Sequence, residues 1–378
     1  MARRIHNASA GDQTAPQVVA LRDGGFLALW VDGPTAQVRG QAFADDGREA
    51  GPEFTVGETP VAAGAGGDLA AALLADGRVV VTWTGIEEDG SAGVRSQVLD
   101  PRDGIVTGTA LGDGLWGHDQ AADQMTGLGG DDILRGLGGE DWLRGGQGQD
   151  TLFGGRGEDS LDGGAGDDAL NGGAGADALS GGTGTDRASY ATAVTVALDG
   201  SLVATGEAAG DVLAGVEGLA GSPLDDRLRG DGGANVLVGN AGADRLEGQG
   251  GDDVLYGGAG DDALTGGGGR DVLGDATGLD RFVFLDLADS AASAARDRVI
   301  GFGAGDRVVL TAIDAVAGGA DGAFALDAGG AFSAGEIRQR VTASGLLLEM
   351  NVDADATPEM SLFLAGLAAP LTAAAFDL

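Results

Sequence analysis

The chain has 378 residues, 75 of them glycine, and carries 59 acidic against 22 basic residues for a formal net charge of −37. Such a charge repels polyanions at every approach, so DNA and RNA are excluded as partners. Every basic residue is arginine and none is lysine, which removes phosphate-loop lysines and Schiff-base chemistry. With no cysteine and only His6 and His118, neither a disulfide framework, a thiolate zinc site nor a cysteine nucleophile is available.

Residues 1–110 are predicted to form a duplicated β-rich module. VVALRDGGFLALWVD at 18–32 echoes AALLADGRVVVTWTG at 71–85, and VRGQAFADDG at 38–47 echoes VRSQVLDPRDG at 94–104. Apolar strands separated by Asp-Gly turns read as antiparallel β-structure. Two copies are too few to close a propeller, which leaves a small sandwich, an assembly or a truncated parent. Trp30 and Trp83 hold equivalent places and read as duplicated core residues in preference to a sugar-stacking pair. No apolar signal-peptide core follows Arg3 and Arg4, and 360–378, the most apolar stretch, reads as a terminal strand and tail with no transmembrane segment.

The glycine is concentrated in two blocks, 127–189 and 221–283, each of seven nine-residue units and together holding 39 of the 75 glycines. The first block runs GLGGDDILR, GLGGEDWLR, GGQGQDTLF, GGRGEDSLD, GGAGDDALN, GGAGADALS, GGTGTDRAS. Its sixth places are Asp132, Asp141, Asp150, Asp159, Asp168, Asp177 and Asp186; those of the second block are Asp226, Asn235, Asp244, Asp253, Asp262, Asp271 and Asp280. The eighth place is leucine in all but the last unit of each block, which carry Ala188 and Phe282. Both flanks decay in register, as solenoid ends do: 118–126 keeps Asp123 and Met125, and 275–283 keeps Asp280 and Phe282.

Glycine at places one, two and four permits positive φ, so places one to six are expected to turn tightly. Places seven to nine then form a three-residue strand whose eighth side chain alone points inward. Two units make one coil of a right-handed parallel solenoid. Coils stack about 4.8 Å apart, so sixth-place carboxylates of units i and i+2 fall into a column. At about 5 Å and an effective dielectric near 20 they repel by roughly 3 kcal/mol per contact, which calls for an intervening cation. Carboxylate and carbonyl oxygens with no nitrogen or sulfur ligand select a hard ion, and a flexible turn favours Ca2+ over Mg2+. The candidate metal ligands are therefore the thirteen sixth-place aspartates just named, without Asn235. An ion between units i and i+2 gives roughly ten sites in all.

These units resemble the RTX (repeats-in-toxin, hemolysin-type) calcium-binding nonapeptide. The resemblance continues into the 31 residues between the blocks, where TVALDG and GDVLAGVEGLAG are similar to the inserts between RTX rolls and are expected to add strands to the stack. FVFLDLADS, RDRVIGFGAGDRVVL and MSLFLAGLAAPLTAAAFDL resemble the C-terminal secretion domain of serralysin-type proteins, and the closing Phe376, Asp377 and Leu378 fit its tail loosely. The resemblance implies a secreted, extracellular protein exported by a type I secretion transporter.

The catalytic machinery of such relatives is missing from the sequence. Neither histidine is followed by glutamate as H-E-x-x-H requires, and Asp89, Gly90, Ser91, Ala92, Gly93 departs from G-x-S-x-G. His118 reads as a surface residue on a capping turn. Asn351, Asp353 and Asp355 imitate the start of an EF-hand loop but lack its later glycine and glutamate, and read as a solvated turn.

The expected architecture is thus all-β: a duplicated module at 1–110, a first roll at 111–189, a β insert at 190–220, a second roll at 221–283 and a capping and secretion domain at 284–378. The expected role is calcium binding outside the cell, non-enzymatic, at a surface or in a matrix. Two other classes compete: an adhesin whose residues 1–110 bind a glycan or cell-surface partner, and an accessory part of a secreted hydrolase.

Overall fold

The computed structural model describes residues 13–21, 26–32, 35–43, 54–56, 69–74, 79–86, 92–99, 105–108, 110, 112–117, 122–274, 277–292, 296–313, 323–327, 332–353, 355 and 357–378. His6, His118 and the Asp89–Ser91 part of the near-match to a nucleophile elbow lie outside the described residues. The chain divides into two compact units, Met1–Asp186 with Asp211–Gly215, and Arg187–Gly210 with Val216–Leu378.

In the first unit, Gln13–Ala20, Phe26–Asp32, Gln37–Phe43 and Phe54–Val56 pair antiparallel in chain order, as do Ala70–Leu73, Val79–Ile86 and Ala92–Leu99. Leu27, Leu29, Val31 and Val38 of the first sheet share a buried cluster with Val79, Val81, Trp83 and Leu99 of the second. This is the small sandwich among the alternatives, held by the apolar face that strand alternation gives each sheet. The equivalent tryptophans face different cores. Trp83 joins the shared cluster, whereas Trp30 packs with Ala28 and Phe43 on the opposite side of its sheet. A one-residue change of facing between the copies exchanges every inward and outward side chain, and both rings are buried all the same.

The remainder of this unit is a parallel roll. Ile105–Thr107, Gln124–Gly129, Trp142–Gln147, Ser160–Ala165, Ala178–Thr183 and Val212–Ala214 form one sheet; Gly114–Trp116, Ile133–Gly138, Thr151–Arg156 and Ala169–Ala174 line the other side. Alternate units pair in register, Leu143 with Leu161 and then Leu179, Leu134 with Leu152 and then Leu170. Val212–Ala214 comes from between the repeat blocks and pairs with Ala178–Ser180, so the insert adds a rung to the stack as expected.

The second unit repeats the plan. Arg187–Ser189, Gly218–Ala220, Val236–Ala241, Val254–Ala259, Val272–Gly274, Asp297–Ile300 and Met360–Ala365 run parallel, and Gly345–Asn351 and Glu336–Val341 continue that sheet antiparallel. Opposite them run Thr195–Ala197, Arg227–Arg229, Arg245–Gly250, Ala263–Gly268, Arg281–Val283, Arg307–Val309 and Phe376–Asp377. The end of the chain therefore supplies rungs to both sheets. The eighth-place side chains, from Leu134 to Phe282, are at most 1% exposed and form the core. Among the described residues no helix is long and apolar enough to cross a membrane.

The local geometry corrects the expected unit in three respects. Interior strands are six residues long, places seven to nine plus one to three of the next unit, and the turn is confined to places four to six. In Thr151–Arg156 both Leu152 and Gly154 point inward, so place one shares the core with place eight. Positive φ occurs at places two and four, as at Gly164 and Gly166, and not at place one. Place two tolerates side chains there, since Leu128, Leu137, Asn240 and Gln249 adopt φ of 76 to 83°. Place one requires glycine for lack of room: a Cβ on Gly163 would collide with Asp168 Oδ2 and lie 2.7 Å from the Gly181 carbonyl oxygen. A Cβ on Gly268, at place three, would meet nothing within 4 Å. In chemical denaturation with calcium present, Gly163→Ala is expected to cost about 1–3 kcal/mol by overpacking, and Gly268→Ala less than about 0.5 kcal/mol.

Candidate metal centre

Each sixth-place aspartate immediately precedes the strand that begins at place seven, in every unit but that of Asp226 following a left-handed glycine at place four, and every one is at most 4% exposed. Backbone pairing uses up its main chain. The carbonyl oxygens of Asp132, Asp141 and Asp150 accept from Thr151, Ser160 and Ala169 on the next coil at 2.8 Å. Their amides donate sideways into carboxylates: Asp132 N–H to Asp150 Oδ1, Asp150 to Asp168 and Asp168 to Asp186, each at 2.8 Å. A second column runs from Asp123 through Asp141 and Asp159 to Asp177, also at 2.8 Å. In the second unit Asp226, Asp244, Asp262 and Asp280 form one column, and Asn235, Asp253 and Asp271 another.

One carboxylate oxygen is thereby spent in binding coil to coil, and the other is left in the interior. Oδ2 of Asp132, Asp150, Asp159, Asp168, Asp177, Asp244, Asp253, Asp262 and Asp271 is buried with no hydrogen-bond partner. It lies over the place-one glycine of its own unit, toward which a place-one carbonyl of the next coil also points: Gly145 for Gly127, Gly154 for Gly136, Gly181 for Gly163. A buried anionic oxygen with nothing to accept is costly, and a file of them, each beside a carbonyl oxygen, is a donor set for a hard cation. The residues present fit calcium on that ground.

The columns extend past the repeats. Asp177 N–H donates to Asp211 Oδ1 at 2.9 Å, Asp271 to Asp297 at 2.8 Å and Asp280 to Asp306 at 3.3 Å. These three were hidden because chain separations of 34 and 26 residues replace the regular 18. The triplet Asp-x-apolar, as in Asp211-Val-Leu213, Asp297-Arg-Val299 and Asp306-Arg-Val308, is the signal that marks them.

Not all sixth places are alike. Asp226 Oδ2 accepts from the Ser222 amide at 2.6 Å and its hydroxyl at 3.1 Å, so this predicted ligand differs from its neighbours. Asn235 accepts from the Asp231 amide and donates to the Glu217 carbonyl at 3.3 Å, closing its site with neutral partners. A separate outer row, unanticipated from sequence, is formed by the fifth-place acids. Exposed Asp131, Asp167, Asp225, Asp252 and Asp261 accept the amides of Gln149, Thr185, Ala243, Arg270 and Leu279 on the next coil at 2.8–3.1 Å. Asn351, Asp353 and Asp355 form a turn of consecutive side-chain-to-backbone bonds, with carboxylate oxygens of Asp353, Asp355 and Glu359 within 4.8 Å of one another.

Burial pushes the column carboxyls up: Asp132, Asp159, Asp262 and Asp271 to about 6, Asp168, Asp244 and Asp253 to about 7, and Asp297 to about 8. Neighbouring aspartates add to it, Asp150 and Asp186 acting on Asp168. The folded state thus holds protons that the unfolded chain releases near pH 4. Without metal, stability is expected to be greatest below that pH and to fall as pH rises through 6 to 8. Calcium, competing with those protons, is expected to bind more tightly over the same rise. Denaturant midpoints in chelator and calcium titrations at pH 5 and 8 check both signs.

The RTX calcium-binding nonapeptide repeat model matches residues 119–152, 126–161, 153–188, 220–252 and 238–273. Comparison with curated proteins gives no match. Among solved structures, a subunit of the Azotobacter vinelandii mannuronan C5-epimerase is 31% identical over 40% of this chain and 77% of that one, with a TM-score of 0.19. RTX nonapeptide repeats bind calcium, and in its two blocks the chain carries RTX calcium-binding nonapeptide repeats.

Proposed function

We propose that this is a secreted protein whose two rolls fold on binding calcium outside the cell and whose role there is structural and non-enzymatic. The observation that carries the reading is the file of buried, unpartnered Oδ2 atoms. Asp132, Asp141, Asp150, Asp159, Asp168, Asp177, Asp186, Asp244, Asp253, Asp262, Asp271 and Asp280 are the proposed ligands, joined by Asp211 and Asp297. Asp226, satisfied by Ser222, is the weakest of the predicted set. Bound calcium supplies the positive charge that offsets carboxylate burial and repulsion along each column, in roughly ten sites. The aspartates supply the rest: Oδ1 holds the next coil in register, and the inward set of Oδ2 leaves one oxygen for the ion.

Export follows from the same coupling. Cytosolic calcium lies far below the range of about 0.1–1 mM typical of extracellular modules, so the rolls stay unfolded inside and thread a type I transporter from the C-terminal end. Calcium then folds them outside.

Far-ultraviolet circular dichroism tests the central part. In EDTA above pH 7, where the column carboxyls have lost their protons, the β-signal of the rolls is expected to be largely lost, and to return cooperatively with added calcium. Asp150→Asn with Asp168→Asn is expected to lower the number of bound ions by about one and raise the calcium midpoint, whereas Asp162→Asn, outward and beside Arg144 at 3.4 Å, leaves both unchanged. A full β-spectrum in EDTA that calcium does not alter contradicts the reading.

A further inference from the structure

The two repeats that open the second block, 221–229 and 230–238, make one coil, and both depart from the others at the same place. Place two has positive φ in every other repeat of the blocks in which it is described, from Leu128 to Gly267. Ser222 and Asp231 do not. With that change the strand no longer runs on into places one to three: Gly218–Ala220 and Arg227–Arg229 stop at place nine, where an interior strand such as Thr151–Arg156 continues for a further half of its length. Each departure is written in the sequence. Pro223 pushes the residue before it, Ser222, into extended backbone with negative φ. Asp231 Oδ1 accepts the Gly233 amide at 2.8 Å, an Asx turn that fixes the backbone at place two by another route.

In both repeats the place-two amide then meets the place-six side chain. Ser222 N–H donates to Asp226 Oδ2 at 2.6 Å, and the Ser222 hydroxyl reaches the same oxygen at 3.1 Å. Asp231 N–H donates to Asn235 Oδ1 at 2.8 Å. Where place two has positive φ, Oδ2 of Asp150, Asp168, Asp244 and Asp262 has no such donor. Asp226 Oδ1 is also taken, by the Val194 amide at 2.7 Å, and the Asn235 side chain donates to the Glu217 carbonyl at 3.3 Å. Calcium binds through oxygen lone pairs, and on this coil N–H and O–H groups occupy them.

On the reading that the remaining repeats bind calcium, we infer that the first coil of the second roll is closed to it, and that the backbone at place two is the gate. With positive φ a repeat leaves Oδ2 for an ion; with negative φ it fills that position with its own amide. A carboxylate at place six is therefore not sufficient for a site, and Asp226, an aspartate in full register, takes no ion. The hydrogen-bonded ladder still passes through the closed coil, since the amides of Asp226 and Asn235 donate to Oδ1 of Asp244 and Asp253 at 2.8 Å. The ions of the second block begin one coil inside it, at Asp244 and Asp253.

Equilibrium dialysis of the full chain against calcium at pH 8 counts the ions. Asn235→Asp alone supplies the missing carboxylate and is expected to add none, because the Asp231 amide still fills its oxygen. Asn235→Asp with Asp231→Gly is expected to add about one. Ser222→Gly with Pro223→Ala and Leu224→Gly brings in no acid and is also expected to add about one. Circular dichroism in calcium shows which variants keep the roll; the two place-two variants act on different columns, so either one decides if the other does not fold. An added ion in Asn235→Asp alone, or a count unchanged in the folded place-two variants, overturns the gate and leaves calcium binding by the roll intact. A chain that binds no calcium in any form overturns both readings.

Discussion

Coil is tied to coil in the two rolls through one oxygen of an aspartate, and in nine of these aspartates, Asp168 among them, the other oxygen is held in the interior with no hydrogen-bond partner. That arrangement cannot be neutral. Burial raises the cost of the charge, and the neighbouring carboxylate one strand step away raises it again, so the folded backbone is complete only when a proton or a cation joins the column. Much else in the sequence answers to this constraint. Glycine recurs at place one because Asp Oδ2 and a carbonyl oxygen occupy the space a Cβ would need. Leucine recurs at place eight because its side chain is the apolar filling between the sheets. Where Oδ2 finds another donor, as Asp226 does in Ser222, the pattern of the unit is also degraded: GSPLDDRLR keeps one glycine of three.

The same periodicity leaves the outer face free. Places seven and nine point away from the eighth-place core, and they carry Trp142, Arg144 and Asp162 in one unit of the fold and a run of arginines in the other. The buried carboxylates are thus a property of the turns and the interior, and outward side chains can vary without touching them. Fold and surface function are separable here in a way that a conventional core does not allow. The N-terminal sandwich stands on different physics: two antiparallel sheets closed on a common apolar cluster, with no buried carboxylate ladder among its described residues.

Most of the roll could be read directly because its two determinants, Asp at place six and an apolar residue at place eight, recur on a strict beat. What escaped did so for identifiable reasons. The expected strand is too short because glycine at places one and two reads as turn chemistry, yet at place one glycine serves close packing against the carboxylate and the next coil. Asp211, Asp297 and Asp306 were passed over because the intervening chain lengthens, although stacking responds to the triplet and not to the distance along the chain. The fifth-place ladder hid within Asp-Asp pairs that read as a single signal. In the N-terminal module the duplication was visible, but the facing of Trp30 and Trp83 was not, since sequence equivalence does not carry over the one-residue choice of side that each strand makes.

The most direct test is crystallographic. Anomalous difference maps from crystals grown in calcium should place the ions in files along the inner side of the turns, one beside each Oδ2 and its place-one glycine, with none at Asn235 and the columns running on toward Asp211 and Asp297. Ions confined to the outer fifth-place row, or well-ordered rolls with no ion beside Oδ2 at neutral pH, would contradict the account.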